Sequence, residues 1–439
     1  MRTYLVGGAV RDALLGRPVK DQDFVVVGET PDTMLDRGFK AVGKDFPVFL
    51  HPDNGDEYAL ARTERKVGAG HGGFAFVADA TVTLEMDLMR RDLTINAIAQ
   101  DLVTGEHMDP YGGRRDLENR VLRHVSEAFA EDPLRVLRVA RFAARYADLG
   151  FTVAPETMDL MRQMVRQGAL NELTAERVWM EVKHALGTRQ PSRFLEVLRE
   201  CGGLAVVAPE VDKLYGVPQV EEHHPEVDTG IHTQMVVDQA ALLAPGDARV
   251  GFAALVHDLG KGLTPPEEWP KHHKHEENGV TPVLELCERW RVPTEYRELA
   301  VAVCEHHLNA HRATEVRPGT LLSLLDRVGA VRRPEKLMPF LLACEADARG
   351  RLGFENRVYP QTQLLLDAQK AALTITAGPF VAQGKVGVEI GQAMHIARLR
   401  AVTEVRNAFR EQQATLKAQA EAIPSEPVAV APARGPRLK

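Results

Sequence analysis

From about Ser126 onward the chain reads as helices, whereas the residues before it read as short strands punctuated by glycine turns. This change of period constrains the fold more than any other feature. Residues 3–10 and 22–28 are apolar runs rich in Val and Leu; with Val48-Phe49-Leu50, Glu57 to Ala61 and Leu93 to Ala99 they predict short strands and helices in an α/β region. Segment 65–78 is glycine-dense and is expected to form a mobile loop. Asp109-Pro110-Tyr111-Gly112-Gly113 is a strong turn, and β-branched runs become scarce after it. Breaks near Thr188 to Pro191, Pro209, Pro218 and Pro225 separate one helical unit from a histidine-rich one beginning near 226. The expected divisions are 1–125, 126–225, 226–350, 351–421 and a disordered Pro/Ala/Val-rich tail at 422–439. The fold class is therefore α+β: a mixed sheet with helices, then all-α parts.

A chain of 439 residues allows two to four domains. No run approaches the roughly 18 apolar residues of a membrane helix, and the N-terminal MRTYLVGGAVRD reaches Arg11 and Asp12 too soon for a signal peptide. Cys201, Cys287, Cys304 and Cys344 have no CxxC spacing, as expected of reduced thiols. A cytoplasmic protein without a membrane partner is expected. The net charge of −7 argues against a general polyanion binder, so no DNA partner is expected, but local basic patches leave RNA open.

The first chemical constellation is Gly7-Gly8-Ala9-Val10-Arg11-Asp12 followed by Asp21-Gln22-Asp23. Adjacent glycines opening a helix let backbone N–H groups approach phosphates, and Arg11 adds a fork for phosphate oxygens. Asp21 and Asp23, spaced i, i+2 on an expected strand, would share a face and hold Mg²⁺ against a triphosphate. Arg135, Arg138, Arg141 and Arg145 fall within one helical stripe of about 120° with no acid interleaved, which suggests phosphate contacts. Glu57 stays outside the firm set, since a surface strand position explains it equally well.

GGAVRD followed by DQD resembles the signature of the class II nucleotidyltransferases of the polymerase-β superfamily, the CCA-adding enzymes and bacterial poly(A) polymerases. Three further segments match in order. Arg90-Arg91-Asp92-Leu93-Thr94-Ile95-Asn96-Ala97 is similar to the family's ribose-contact motif, and Glu131-Asp132-Pro133-Leu134-Arg135 to its base-reading motif. Ala61-Arg62-Thr63-Glu64 is similar to the segment linked to the switch between C and A addition. The resemblance implies a nucleotidyltransferase head at 1–125 and a helical neck and body at 126–225 that reads the base and binds tRNA. It also implies Asp21 and Asp23 as catalytic Mg²⁺ ligands, with ATP or CTP held by Gly8, Arg11, Arg91, Asp132, Arg135, Arg138 and Arg141. One carboxylate and one arginine can satisfy the amino donor and ring-nitrogen acceptor shared by cytosine and adenine. Guanine and uracil would leave polar groups unmatched at roughly 1–3 kcal/mol each.

The second constellation is His257-Asp258-Leu259-Gly260-Lys261-Gly262, with His232 upstream and Asp347 downstream on an expected helix. Its H…HD…D order resembles the HD phosphohydrolase superfamily. That resemblance implies His257 and Asp258 as catalytic, and His232, His257, Asp258 and Asp347 as ligands to Ni²⁺, Mn²⁺, a similar transition metal, or Mg²⁺. His275, His306 and His307 are candidates for further ligands or phosphate contacts. The run Lys271-His272-His273-Lys274-His275 follows Pro265, Pro266 and Pro270; it suits a solvated loop, His275 being its best site candidate. Bacterial enzymes that join both parts form the multifunctional CCA protein family, which the chain resembles along nearly its whole length. The resemblance implies addition and repair of the 3′-terminal CCA of tRNA, with 2′,3′-cyclic phosphodiesterase, 2′-nucleotidase and phosphatase activity in an HD domain at 226–350. The expected partners are tRNA, ATP and CTP, in a monomer or homodimer. The alternatives are a poly(A) polymerase with the same head, and an HD hydrolase whose N-terminal domain senses RNA or nucleotide.

Overall fold

The computed structural model describes residues 1–19, 21–42, 48–66, 74–77 and 80–422. The tail expected at 422–439 falls almost entirely outside these residues, and so do 67–73 and 78 of the expected loop. The rest of that segment is strand: Thr63–Lys66 pairs antiparallel with Phe74–Val77.

Seven strands form the head's sheet: β1 (Arg2–Val6), β2 (Asp23–Val27), β3 (Lys40–Val42), β4 (Val48–Leu50) and β5 (Glu57–Leu60), then Ala99–Asp101 and His107–Met108. Their order is β3-β4-β5-β2-β1 and then the last two. Only β2 and β5 run parallel; the other pairs are antiparallel. Beyond Asp23 the central strand β2 is apolar because both its faces are covered. Val25 packs with Tyr4, Val6, Leu84 and Leu88 on one side, and Phe24 and Val26 with Met34, Phe49, Tyr58 and Leu60 on the other. Leu88 is completely buried, and side chains of its kind contribute about 2 kcal/mol each. Parity places Asp23 on the Val25 side, the face covered by helix Leu84–Met89.

Asp21 corrects one expectation, for it lies ahead of β2 and not within it. Pairing between β1 and β2 stops at Val6 opposite Asp23, because Gly7 turns the chain into helix Gly8–Leu14. Gly7 has φ 68°, which favours glycine, and a Cβ there would also displace Arg91 Nη1, 2.9 Å away. With no partner strand beyond Val6, the segment holding Asp21 stays out of the sheet.

After the head the chain is helical apart from the short parallel pair Val121–Leu122 with Thr152–Val153. Helix Leu134–Arg145 buries Val136, Leu137, Val139, Ala140 and Ala143 against helices Ala175–Leu186 and Ser192–Glu200. The histidine-rich part comprises helices Thr229–Leu243, Ala248–Val256, His275–Arg289, Thr294–His311 and Leu337–Arg349. Residues 1–307 and 339–358 form one compact unit; 308–338 and 359–439 form a second. Within the second unit, helix Val388–Ala422 packs on helices Pro318–Arg327 and Gln361–Leu373, and the buried Arg406 donates to the Val316 carbonyl. No helix among the described residues is long and apolar enough to cross a membrane. All four cysteines are buried and unbridged.

Candidate active sites

A cleft of about 670 Å³ in the first unit gathers residues from six separate segments. Gly8, Arg11, Asp21, Asp23, Arg91, Asp132, Arg135, Arg138 and Arg141 all line it, so every nucleotide-side candidate converges on one place. Glu57, at the start of β5, is not among its lining residues. Arg62, Arg90, Asp92, Asn96, Phe142, Arg145 and Arg177 complete the wall.

The absence of acids within the arginine stripe does not leave those arginines unpaired, because acids arrive from distant segments. Arg138 Nε donates to Asp92 Oδ2 at 2.8 Å, and Arg141 Nε to Glu181 Oε2 at 2.5 Å. Arg145 Nη2 donates to Asp12 Oδ2 at 2.8 Å, and the Tyr146 hydroxyl donates to Asp12 Oδ1 at 2.9 Å. Arg11 is held by Asp12 at 2.9 Å and by Asn96 Oδ1 at 2.5 Å, and lies over the rings of Phe142 and Tyr146. Arg91 meets the buried Asp87 at 3.3 Å, which also takes Arg90 at 2.9 Å and the backbone N–H of Arg62 at 3.3 Å. Burial pushes the Asp92 carboxyl upward, but Arg138 and the Asn96 amide hold it below the ordinary carboxylate range. A guanidinium carries five N–H donors, so one carboxylate fixes Arg138 or Arg141 without exhausting it.

The base-reading pair is engaged internally. Asp132 Oδ2 accepts from Arg177 Nη2 at 2.6 Å, and Asp132 Oδ1 caps the following helix through the Leu134 amide at 3.1 Å. The Arg135 guanidinium donates to the carbonyls of Ala128 at 2.7 Å and Arg90 at 2.6 Å. Arg177 and Glu181, one turn apart on helix Ala175–Leu186, escaped the sequence reading. They lie 45 and 40 residues from their partners, and no local spacing announces them.

The second site is also in the first unit. His232, His257, Asp258 and Asp347 come together with almost no solvent exposure. His232 Nε2 stands 3.2 Å from Asp347 Oδ1, and His257 Nε2 stands 3.2 Å from Asp258 Oδ2. Neither Nε2 has a hydrogen-bond partner. Burial pushes the His257 imidazole down, but Asp258 and Asp347 outweigh it and raise its pKa; Asp258 is held well below its usual range, chiefly by His257 and Lys261 against burial. Buried ring nitrogens without partners, facing two carboxylates, are the donor set a divalent transition metal takes. Lys261 Nζ lies 2.6 Å from Asp258 Oδ2 and donates to Gln219 Oε1 at 2.6 Å.

His275 opens its helix and faces the same pocket, with Nε2 3.4 Å from Asp258 Oδ1. His307 stands 3.8 Å from that oxygen. His306 belongs to no potential metal-ligand group among the described residues. His272 is structural, bonded to Thr264 Oγ1 at 3.0 Å and the Pro218 carbonyl at 2.9 Å. Glu226, missed from the sequence, has Oε1 3.0 Å from His224 Nδ1 and 3.1 Å from His232 Nδ1, so it orients a candidate ligand from behind.

Comparison with known proteins finds three family models along the chain. Residues 3–123 match a family model described as the Poly A polymerase head domain, 150–215 a probable RNA and SrmB-binding site of polymerase A, and 229–339 the HD domain. A multifunctional CCA protein of Xanthomonas campestris pv. campestris is 58% identical over 407 residues, covering 93% of this chain and 99% of that protein. One from Stenotrophomonas maltophilia is 59% identical over 406 residues, covering 92% of this chain and 100% of its own length. A solved Thermotoga maritima CCA-adding enzyme complexed with tRNA is similar in fold, with TM-score 0.57 and 20% identity over 94% of this chain and 91% of that one.

Proposed function

The chain belongs to the multifunctional CCA protein family, and on that footing we propose that its head rebuilds the 3′-terminal CCA of tRNA from CTP and ATP while its HD domain hydrolyses phosphate esters at the same RNA end. The observation that carries the first half is the single cleft in which Asp21 and Asp23 face a wall of anchored arginines. Asp21 and Asp23 would hold Mg²⁺, which supplies charge neutralisation at the triphosphate and lowers the pKa of the attacking ribose hydroxyl. The chain itself supplies position. Arg11, Arg138 and Arg141 present fixed cations to the phosphates, each braced by a carboxylate or an amide oxygen so that little rearrangement accompanies binding. Asp132 and Arg135 meet the base edge, exchanging their internal partners for the amino and ring-nitrogen groups of cytosine or adenine.

In the HD domain His232, His257, Asp258 and Asp347 would hold a divalent metal, Ni²⁺, Mn²⁺ or Mg²⁺, which supplies Lewis acidity toward phosphate and water. Lys261 adds positive charge beside Asp258. The three activities assigned to it, 2′,3′-cyclic phosphodiesterase, 2′-nucleotidase and phosphatase, share a logic: the first opens the cyclic ester with water to a monoester, and the other two release that phosphate, so that the head regains a free 3′-hydroxyl.

The test is extension of a tRNA lacking its last three nucleotides, with ATP and CTP, repeated on a tRNA ending in a 2′,3′-cyclic phosphate. Ordered addition that stops after three residues is expected, with cyclic ends extended only after hydrolysis. Unlimited A addition, the behaviour of a poly(A) polymerase, or no addition at all, would overturn the reading. Asp258→Ala is expected to abolish hydrolysis of the cyclic end and spare extension of the hydroxyl end.

A further inference from the structure

Asp87 lies on the short helix Leu84–Met89 and has no solvent exposure. The helix packs Leu84 and Leu88 against Tyr4, Val6, Val25 and Ala61, so an ionised group on it needs compensation. Burial favours the neutral acid, but Arg90 and Arg91 outweigh it and hold the carboxyl below its ordinary value. The compensating hydrogen bonds come from three residues of the nucleotide cleft. Oδ1 accepts from Arg90 Nε at 3.2 Å, Arg90 Nη2 at 2.9 Å and the Arg62 amide at 3.3 Å, and Oδ2 accepts from Arg91 Nη2 at 3.3 Å.

Each of these residues leads to a different part of the cleft. Arg91 leads to the phosphate side: its Nη1 donates to the Asn96 carbonyl at 3.5 Å and stands against Gly7, while Asn96 Oδ1 holds Arg11. Arg91 Nε is buried and without a partner, so one donor on this guanidinium is uncommitted. Arg90 leads to the base side, because its carbonyl accepts from Arg135 Nη2 at 2.6 Å. Arg62 leads to the strand pair Thr63–Lys66 and Phe74–Val77, whose first strand begins at the next residue. A buried ion pair is often replaced by apolar side chains at no loss of stability. A charge at position 87 is therefore better explained by where it puts the arginines than by what it adds to the fold.

We infer that Asp87 is a positioning residue of the nucleotide site: it sets Arg90 and Arg91 in one arrangement and so aligns the phosphate side of the cleft with the base-reading side. This rests on the nucleotidyltransferase reading above and adds to it a residue that touches neither base nor phosphate. Base selection depends on Arg135 being held in place, since a guanidinium free to shift could adapt to the reversed donor and acceptor of uracil. Loss of the Asp87 charge loosens the segment that carries the Arg90 carbonyl, and with it that discrimination.

The probe is CTP, compared with UTP, titrated calorimetrically into the full chain with Mg²⁺ and without tRNA. Asp87→Leu replaces the carboxylate by an apolar side chain of the same branched shape, an exchange that a position with no further role tolerates. It is expected to keep its melting curve, while CTP binds roughly 10-fold more weakly and the preference for CTP over UTP falls roughly 10-fold. Combined with Arg91→Ala, it is expected to weaken CTP binding by less than the product of the two single effects. If leucine prevents folding, Asp87→Asn, which keeps the shape and loses the charge, carries the same comparisons. Unchanged CTP affinity and UTP rejection in the folded variant, or effects that multiply in full with Arg91→Ala, overturn the inference and leave the head's activity standing. A wild-type chain that binds CTP no better than UTP overturns the base-reading assignment of the head, and the role of Asp87 with it.

Discussion

Replacing Asp92 tests whether the arginine wall depends on its braces. Asp92 is buried at 6% exposure and does three things: Oδ1 accepts from the Leu93 amide and from Asn96 Nδ2, both at 2.8 Å, and Oδ2 accepts from Arg138 at 2.8 Å. Alanine removes all three, leaving Arg138 with Glu181 Oε1 at 3.9 Å and the charge of Asp132 as ionic neighbours. Removing one partner of a buried pair costs about 3–5 kcal/mol. The Arg138 side chain is 35% exposed and gains some hydration, so the lower end, about 3 kcal/mol, is expected. At about 2.1 cal/mol/K of unfolding entropy per residue, a unit of this size then melts about 4–5 °C lower. Asparagine keeps an acceptor for Leu93 and Asn96 but turns an NH₂ donor to Arg138, losing both the charge and that hydrogen bond, a cost of about 1.5–3 kcal/mol. In CCA extension, loss of the brace on Arg138 is expected to lower kcat/KM for CTP roughly 10- to 100-fold. The pH dependence follows from the direction of the shift. Arg138 and Asn96 hold Asp92 below its ordinary 3.8 despite burial, so its stabilisation is complete above about pH 4 and is lost as pH falls toward the lower folded value. The stability gap between wild type and Asp92→Asn therefore narrows below about pH 4. Melting of Asp92→Ala within about 1 °C of wild type, or a gap equally wide at low and neutral pH, would refute the reasoning.

Two further outcomes are expected. Gly260→Ala puts a Cβ 2.0 Å from the His275 carbonyl oxygen and 2.8 Å from the Gly279 amide, so the helix His275–Arg289 must shift; metal content and cyclic-phosphate hydrolysis fall while CCA extension persists, and unchanged metal content would contradict this. Asp238 accepts from the Ser192 amide at 2.9 Å and hydroxyl at 2.7 Å, yet burial pushes its carboxyl up to about 6. The folded state thus holds this proton more firmly than the unfolded chain, and stability declines as pH rises from about 4 to 6, by at most about 3 kcal/mol. Asp238→Asn should flatten that slope in melting curves, and an unaltered slope would exclude the assignment.

What was legible in the sequence was whatever is written over short range. Gly7-Gly8, Asp21-Gln22-Asp23, Arg90-Arg91-Asp92 and Asp132 to Arg135 each form a compact local element, and all line one cleft. HDLGKG likewise keeps its ligands at a helix end, with Gly260 present because the His275 carbonyl packs where a side chain would be. The illegible part is held at long range. Asp12 with Arg145, Glu181 with Arg141 and Arg177 with Asp132 are joined across 133, 40 and 45 residues, and an ion pair imposes no periodicity on either strand or helix. Asp21 was misplaced for a related reason: the length of β2 is limited by where β1 ends, which only Gly7 in its folded conformation decides. The expected loop at 65–78 concealed a strand pair because glycine density reports turns and says little about the residues between them.

The way the four imidazoles around Asp258 are oriented also bears on how the domain tolerates change. The main-chain oxygens of Gly350, Ala254, His272 and Val303 face Nδ1 of His232, His257, His275 and His307, with the Glu226 carboxylate also on His232, and a main-chain oxygen survives any substitution at its own position. The residues Ala254, His272 and Val303 can therefore vary in side chain, within the limits of packing, without reversing a ring, whereas a Cβ at Gly350 would meet the Val236 backbone at 2.7 Å. Over many generations of drift such a centre concentrates its vulnerability in the ligands themselves and in the few places, such as Gly260, where two backbones touch.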